Sequence, residues 1–235
     1  MNKSCFFNTI AAACAFLVFF LPAKAAFSEE KSVHKSTDTN NVTFDFEDTA
    51  SGQIPEGWIV ESTGQSGPIA TWQVVFDKES ESKVLGMTKA NHNSDSTFNI
   101  CRTKNVNFKD GEIEVRFKAI EGKEDQGGGP VWRLQDKDNY YIARANPLEN
   151  NFRLYYVKNG ERTALASADV DVPSNKWHTI KIIHKAEHIE AYLNRKKYLE
   201  AKDSTFNDAG KVGLWTKADA VTDFDDFKIK PLNHN

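Results

Sequence analysis

Two carboxylates alternate along one short stretch of this chain, Glu112-Ile113-Glu114. In an extended strand alternate side chains share a face, so Glu112 and Glu114 stand together, with Ile113, Val115 and Phe117 turned the other way. Carboxyl groups about 5–5.5 Å apart are the machinery of retaining glycoside hydrolysis, one as nucleophile and one as acid/base. Arg116 shares their face, however. A guanidinium lowers a neighbouring carboxyl's pKa, which works against a general acid that must hold its proton near neutral pH. The competing reading, which the pattern favours, is a solvated charged face with cross-strand ion pairs.

A second group falls between residues 140 and 158: Tyr140, Tyr141, Arg144, Asn146, Asn151, Arg153, Tyr155 and Lys158. Strand alternation puts Tyr140, Ile142 and Arg144 on one side and Tyr141 and Ala143 on the other. Sugar sites use this mixture. Flat rings pack on pyranose C–H surfaces, while Arg and Asn grip hydroxyls with fixed donor geometry. Trp132, Trp215, Lys217 and Asp219 extend the candidate surface. Any single ring is equally suited to fill a core. Arg144, Tyr155, Trp215 and Lys217 weigh more as a group, because a buried charge needs a partner or a ligand.

A third group is acidic: Asp45, Glu47 and Asp48 on an early strand, and Asp223, Asp225 and Asp226 on the last. Such oxygens suit calcium, with Glu47 and Asp226 as the candidate pair. The alternative is Asp side chains capping loop N–H groups. His184 and His188 are four apart but flank a turn, and His178 beside Trp177 reads as structural. HExxH, GxSxG and phosphate-loop patterns are absent, so those chemistries have no anchor in this sequence.

The elements that must position these groups are strands. Period-two patterning runs from Val42 to Lys230, punctuated by Asn-Gly, Asp-Asn and Asn-Arg turns. Val157-Lys158-Asn159-Gly160-Glu161-Arg162 is the clearest hairpin. Gly127-Gly128-Gly129 reads as the most flexible internal loop, and Asp203 to Ala209 as one short turn of helix. Roughly a dozen strands at such spacing predict an all-β jelly-roll sandwich of two antiparallel sheets. Neither a repeat nor a second domain is visible.

Ahead of the strands, Lys3, the apolar run Phe6–Leu21 and Ala23-Lys24-Ala25 have the order of a secretory signal over residues 1–25. Cys14 after three alanines offers a weaker lipoprotein reading. Residues 26–41 read as a polar, flexible leader, and 42–235 as the domain. Export to the periplasm or beyond is therefore expected, with no membrane span after cleavage. Cys5 and Cys14 leave with the signal, and Cys101 alone reads as a small buried apolar residue. The formal charge of −3 and the lack of a basic stripe give no reason to expect nucleic acid.

Certain stretches resemble a known superfamily. Phe44–Asp48 with Ile54–Trp58, the run 138–162, Asn175–Ile182 and 209–229 are similar to the concanavalin A-like lectins and glucanases. Within that superfamily they are similar to the bacterial secreted keto-disaccharide hydrolase-like domains, related to family 16 glycoside hydrolases. The resemblance implies the jelly roll, a ligand groove on a concave face, neighbouring first and last strands, and a structural calcium near the termini. It also exposes a departure. Family 16 enzymes carry Glu-x-Asp-x-x-Glu on one strand, and the third carboxylate is missing after Glu112 and Glu114. The expectation is thus a module binding a glycan or oligosaccharide. The alternatives are a glycoside hydrolase drawing on Asp136, Asp138 or Glu149, and an envelope structural or interaction module.

Overall fold

The computed structural model describes residues 41–91 and 94–232. The expected signal peptide, most of the leader, His34, His92 and His234 lie outside the described residues. Those that are described form fifteen strands and no helix. One sheet has the order β13 (Lys196–Lys202), β12 (His188–Leu193), β11 (Trp177–Lys185), β6 (Gly111–Glu121), β15 (Val221–Pro231), β4 (Ser82–Lys89) and β3 (Thr71–Asp77), with β1 (Val42–Phe44) also paired to β15. The other has the order β10 (Glu161–Asp169), β9 (Asn151–Lys158), β8 (Asn139–Asn146), β7 (Gly129–Asp136), β14 (Gly210–Lys217), β5 (Phe98–Phe108) and β2 (Trp58–Thr63). Every pairing is antiparallel. This is the jelly-roll sandwich that the spacing predicts, and the first and last strands are neighbours.

Alternation builds the core. Ile113, Val115 and Phe117 of β6 meet Tyr141 and Ala143 of β8, Leu154 of β9 and Leu214 of β14 between the sheets. At one end Trp58 takes the edges of Phe44 and Phe46, with ring centroids 5.0 and 5.7 Å away, and Phe227 closes the group. Such pairs add about 0.5–1.5 kcal/mol each beyond the area they bury. Cys101 is buried on β5, and burial pushes its thiol pKa up, as suits an inert core residue.

At another place an arginine acts as the fastener. Arg133 is fully buried. Its guanidinium donates to the carbonyls of Lys109, Phe206 and Ala186 and to Asp110 Oδ1, at 2.7–3.0 Å. A bulge in β7 makes this possible. Arg133 has φ 45° and the register to β8 shifts there.

Turn chemistry matches expectation at the tight hairpins. Asn159 and Gly160 have φ 52° and 82°, as a type I′ turn requires, and Asn194-Arg195 repeats this at 49° and 69°. Three local expectations are corrected. The Gly127–Gly129 run is packed rather than open: a Cβ on Gly129 would lie 1.9 Å from the Ala143 carbonyl oxygen, so small size is what this crossing demands. Residues 203–209 form bends, because Asp203 is taken up by Tyr141 and by the Thr205 N–H. Asp45, Glu47 and Asp48 sit in the turn after β1 rather than on a strand.

His184 supplies a test of this core. Its Nδ1 accepts the Trp132 indole N–H at 2.9 Å, which places the proton of the neutral ring on Nε2. Burial first, then Arg133, lower its pKa from 6.5 to about 3. Between those values the unfolded chain binds a proton that the folded protein refuses, so this residue makes stability fall as pH falls, by about 1.4 kcal/mol per pH unit. Asp223 and Asp225 act oppositely: burial lifts each from 3.8 to about 6, so their contribution is lost as pH rises through that window. In urea titrations from pH 7 to 4, His184→Phe is expected to be less stable than the parent at pH 7, with the deficit shrinking steadily on acidification. A constant deficit would contradict the neutral, buried imidazole.

Candidate functional site

The face of the seven-stranded sheet turned away from the core carries its own apolar cluster. Phe98 and Ile100 of β5, Tyr140 and Ile142 of β8, Tyr155 of β9 and Trp215 of β14 belong to it. The alternation expected around Tyr140 is realised, since Tyr141 and Ala143 face the core. A hydrogen-bond chain orders the rings. Trp215 Nε1 donates to the Tyr140 hydroxyl at 3.2 Å, and that hydroxyl is 2.9 Å from Thr63 Oγ1, which donates to the Lys137 carbonyl. Burial, above all, drives the Tyr140 pKa upward, so the phenol stays neutral.

Next to the rings lies a set of charges. Arg144 and Asp125 are 1% and 0% exposed and meet at 2.7 Å. Arg144 also donates to Glu149 Oε2 at 2.9 Å and Asn151 Oδ1 at 3.2 Å, while Asn146 Nδ2 donates to Asp125 Oδ1 at 3.1 Å. Lys217 Nζ is 3.6 Å from Asp125, and Arg153 Nη1 is 3.0 Å from Glu149. Burial pushes the Asp125 carboxyl up, against the pull of Arg144 and Lys217. Burial also works to raise Glu149, but the Asn151 amide and Arg144 outweigh it and hold that carboxyl below its ordinary value. Arg162 completes the group, its guanidinium 4.5 Å from the Tyr155 ring centre and 5.1 Å from that of Phe98. The cluster reaches solvent along Arg153 and Glu149, whose side chains are 36% and 40% exposed.

The fold therefore brings Tyr140, Arg144, Tyr155, Trp215 and Lys217 together. Two other expected members are corrected. Trp132 faces the core, stacked at 5.7 Å on Tyr141 and bonded to His184, because the register of β7 on β8 sets it opposite the inward Tyr141. Asp219 is a loop clip: its carboxylate accepts the backbone N–H groups of Lys123, Glu124 and Asp125 at 2.8–3.1 Å, so it aims Asp125 rather than a ligand. Asp125 and Arg162 were not singled out from the sequence. For Arg162 the signal was present, since a two-residue Asn-Gly hairpin sets it opposite Val157.

Glu112 and Glu114 are on the other sheet, facing out. Their cross-strand neighbours include Lys230 opposite Glu112, and Lys181 and Lys228 opposite Glu114. Lys181 Nζ lies 3.8 Å from Glu112. Arg116 pairs with Asp225 and Asp226 and lies 4.6 Å from the Trp177 ring centre. This is a charged, ion-paired face, remote from the ring cluster. The calcium pair fares similarly. Glu47 Oε1 accepts the Lys83 N–H at 2.9 Å, and Asp226 is 3.3 Å from Arg116 and 3.4 Å from Lys228. These carboxylates serve cations and a backbone donor. Among the described residues three candidate metal ligands converge at His188, Glu190 and Glu200 instead, where Lys197 bridges both carboxylates at 3.1 and 2.8 Å.

This architecture is that of the concanavalin A-like superfamily, and solved structures share it. A carbohydrate-binding module, CBM66 from Bacillus subtilis, matches with TM-score 0.57 at 20% identity, over 73% of this chain and 94% of that one. A native glycosidic hydrolase matches with TM-score 0.56 at 16% identity, over 83% and 98%. The β-glucanase of Bacillus licheniformis matches with TM-score 0.55 at 12% identity, over 83% and 99%. No curated protein matches the chain. The chain belongs to the 3-keto-alpha-glucoside-1,2-lyase-like domain family, whose model matches residues 40–230.

Removing one partner of a buried ion pair strands the other. Arg144→Gln is therefore expected to lower stability by about 3–5 kcal/mol in denaturant titration. Adding Asp125→Asn should recover part of that loss. Strictly additive losses would mean that the pair is not coupled.

Proposed function

We propose that this protein is an exported carbohydrate-binding β-sandwich that takes a glycan on the outer face of its seven-stranded sheet. The observation that carries this is the convergence there of ordered rings with Arg144, Arg153, Arg162 and Asn151. The rings are buried and give the face its rigid footing, and the fixed fork of the partly exposed Arg153 offers paired donors to sugar oxygens. The family supports a saccharide ligand, and a carbohydrate-binding module shares the fold. The apolar run Phe6–Leu21 followed by Ala23-Lys24-Ala25 supports export.

The test is a glycan array followed by titration of the best sugar. Arg153→Ala should weaken binding about tenfold or more, the worth of one good polar contact, with an unchanged fold by circular dichroism. Glu112→Gln with Glu114→Gln should leave affinity unaltered. Absence of any sugar binding, or loss only in the glutamate variant, would overturn the proposal. The family description also favours a second reading, turnover of a 3-keto-glucoside. Release of free sugar on prolonged incubation of such a substrate would establish that activity.

A further inference from the structure

The charges on the sugar-facing sheet do not balance. Three arginines and one lysine converge: Arg144, Arg153, Arg162 and Lys217. Two carboxylates, Asp125 and Glu149, are within ion-pair distance of them, and those are shared. Asp125 serves Arg144 and Lys217, while Glu149 serves Arg144 and Arg153. The register makes the crowding worse, since β8 and β9 set Arg144 directly opposite Arg153. Like charges at opposed positions destabilise a strand pair, so such an arrangement needs a reason.

Among the described residues no carboxylate lies within ion-pair reach of Arg162. It is held by the faces of Tyr155 and Phe98, and its Nη1 is buried without a hydrogen-bond partner. Arg144 Nε is buried and unpartnered as well. Burying a guanidinium N–H without an acceptor costs about 1–3 kcal/mol, more for a charged group. Neighbouring positive charge adds to the cost: after burial, Arg144 is among the causes that lower the Arg162 pKa. Two donors with capacity to spare, beside a surplus of two positive charges, match an acceptor that brings negative charge with it. A neutral sugar hydroxyl leaves that surplus in place. A planar carboxylate or a sulfate answers both needs, because each accepts two parallel N–H bonds from one arginine.

We infer that the glycan bound on this face is anionic, carrying a uronate carboxylate or a sulfate ester that docks against Arg162 beside Arg153. This inference rests on the carbohydrate reading above and adds the ligand's charge. It does not depend on catalysis.

The experiment is calorimetric titration of the native protein with oligouronides built from galacturonate, glucuronate or mannuronate. Each is compared with its own methyl ester, which keeps the ring and removes the charge. A sulfated galactan oligosaccharide and its desulfated form make the parallel arm. At least one acid form should bind about tenfold or more tighter than its neutral counterpart, the worth of one charge-assisted hydrogen bond. That advantage should shrink between about 0.1 and 1 M salt, where the screening length falls from about 10 to 3 Å. The arm that responds distinguishes carboxylate from sulfate. Arg162→Gln should abolish the preference, so that acid and neutral forms bind alike. Equal binding of acid and neutral forms, or preference for the neutral ones, overturns the charge inference and leaves the carbohydrate reading intact. No binding of any sugar overturns both. A folded Arg162→Gln variant that keeps the full preference removes Arg162 from the site. Should that variant fail to fold, the acid-to-ester ratio in the parent still decides.

Discussion

A guanidinium cannot be left alone in a protein interior, and the buried pair of Arg144 with Asp125 shows how much structure that rule commands. Both side chains are shut away from water and meet at 2.7 Å. Taking each charge out of water costs several kcal/mol, which is offset only when geometry is good and the remaining donors and acceptors are also met. Asp125 must therefore be held in place. The Asp219 carboxylate binds three successive N–H groups of the loop carrying it. Asn146 takes its second oxygen, and Lys217 reaches it from β14. One ion pair thereby fixes a loop, three strands and the charged half of the outer face.

Arg133 obeys the same rule elsewhere, with a different outcome. There the guanidinium meets three carbonyls and one carboxylate, leaving Nε, Nη1 and Nη2 each engaged. It is a fastener. Arg144 and Arg162 are unfinished by comparison, since each keeps a buried N–H without an acceptor.

The outer faces of the two sheets divide along similar lines. The eight-stranded sheet shows water a lattice of opposite charges, with Glu112 and Glu114 set among Lys181, Lys228 and Lys230. Exposed pairs of this kind contribute little and mostly keep the surface soluble. The seven-stranded sheet instead carries rings joined by hydrogen bonds and an excess of cations. Antiparallel sheets usually bury one face and wet the other.

Much of this was legible in the residues themselves. Period-two alternation is a local property, so the all-β class, the inward set Ile113, Val115 and Phe117, and the split between Tyr140 and Tyr141 followed from neighbours along the chain. Asn-Gly at 159–160 specified its own turn, because few residues tolerate positive φ there. Tertiary structure alone decided which face of which sheet each group joined. Glu112 and Arg144 look alike as charged strand residues, yet one is on a wet face among lysines and the other is buried beside Asp125. Trp132 faces inward because the register of β7 on β8 sets it opposite Tyr141, and Gly127–Gly129 proved to be a tight crossing rather than a loose loop. Asp125, nineteen residues from Arg144, had no local signal at all. Alternation and turn preference act between adjacent residues and are written in the sequence. Charge pairing and close approach act through space and exist only once the sheets have packed.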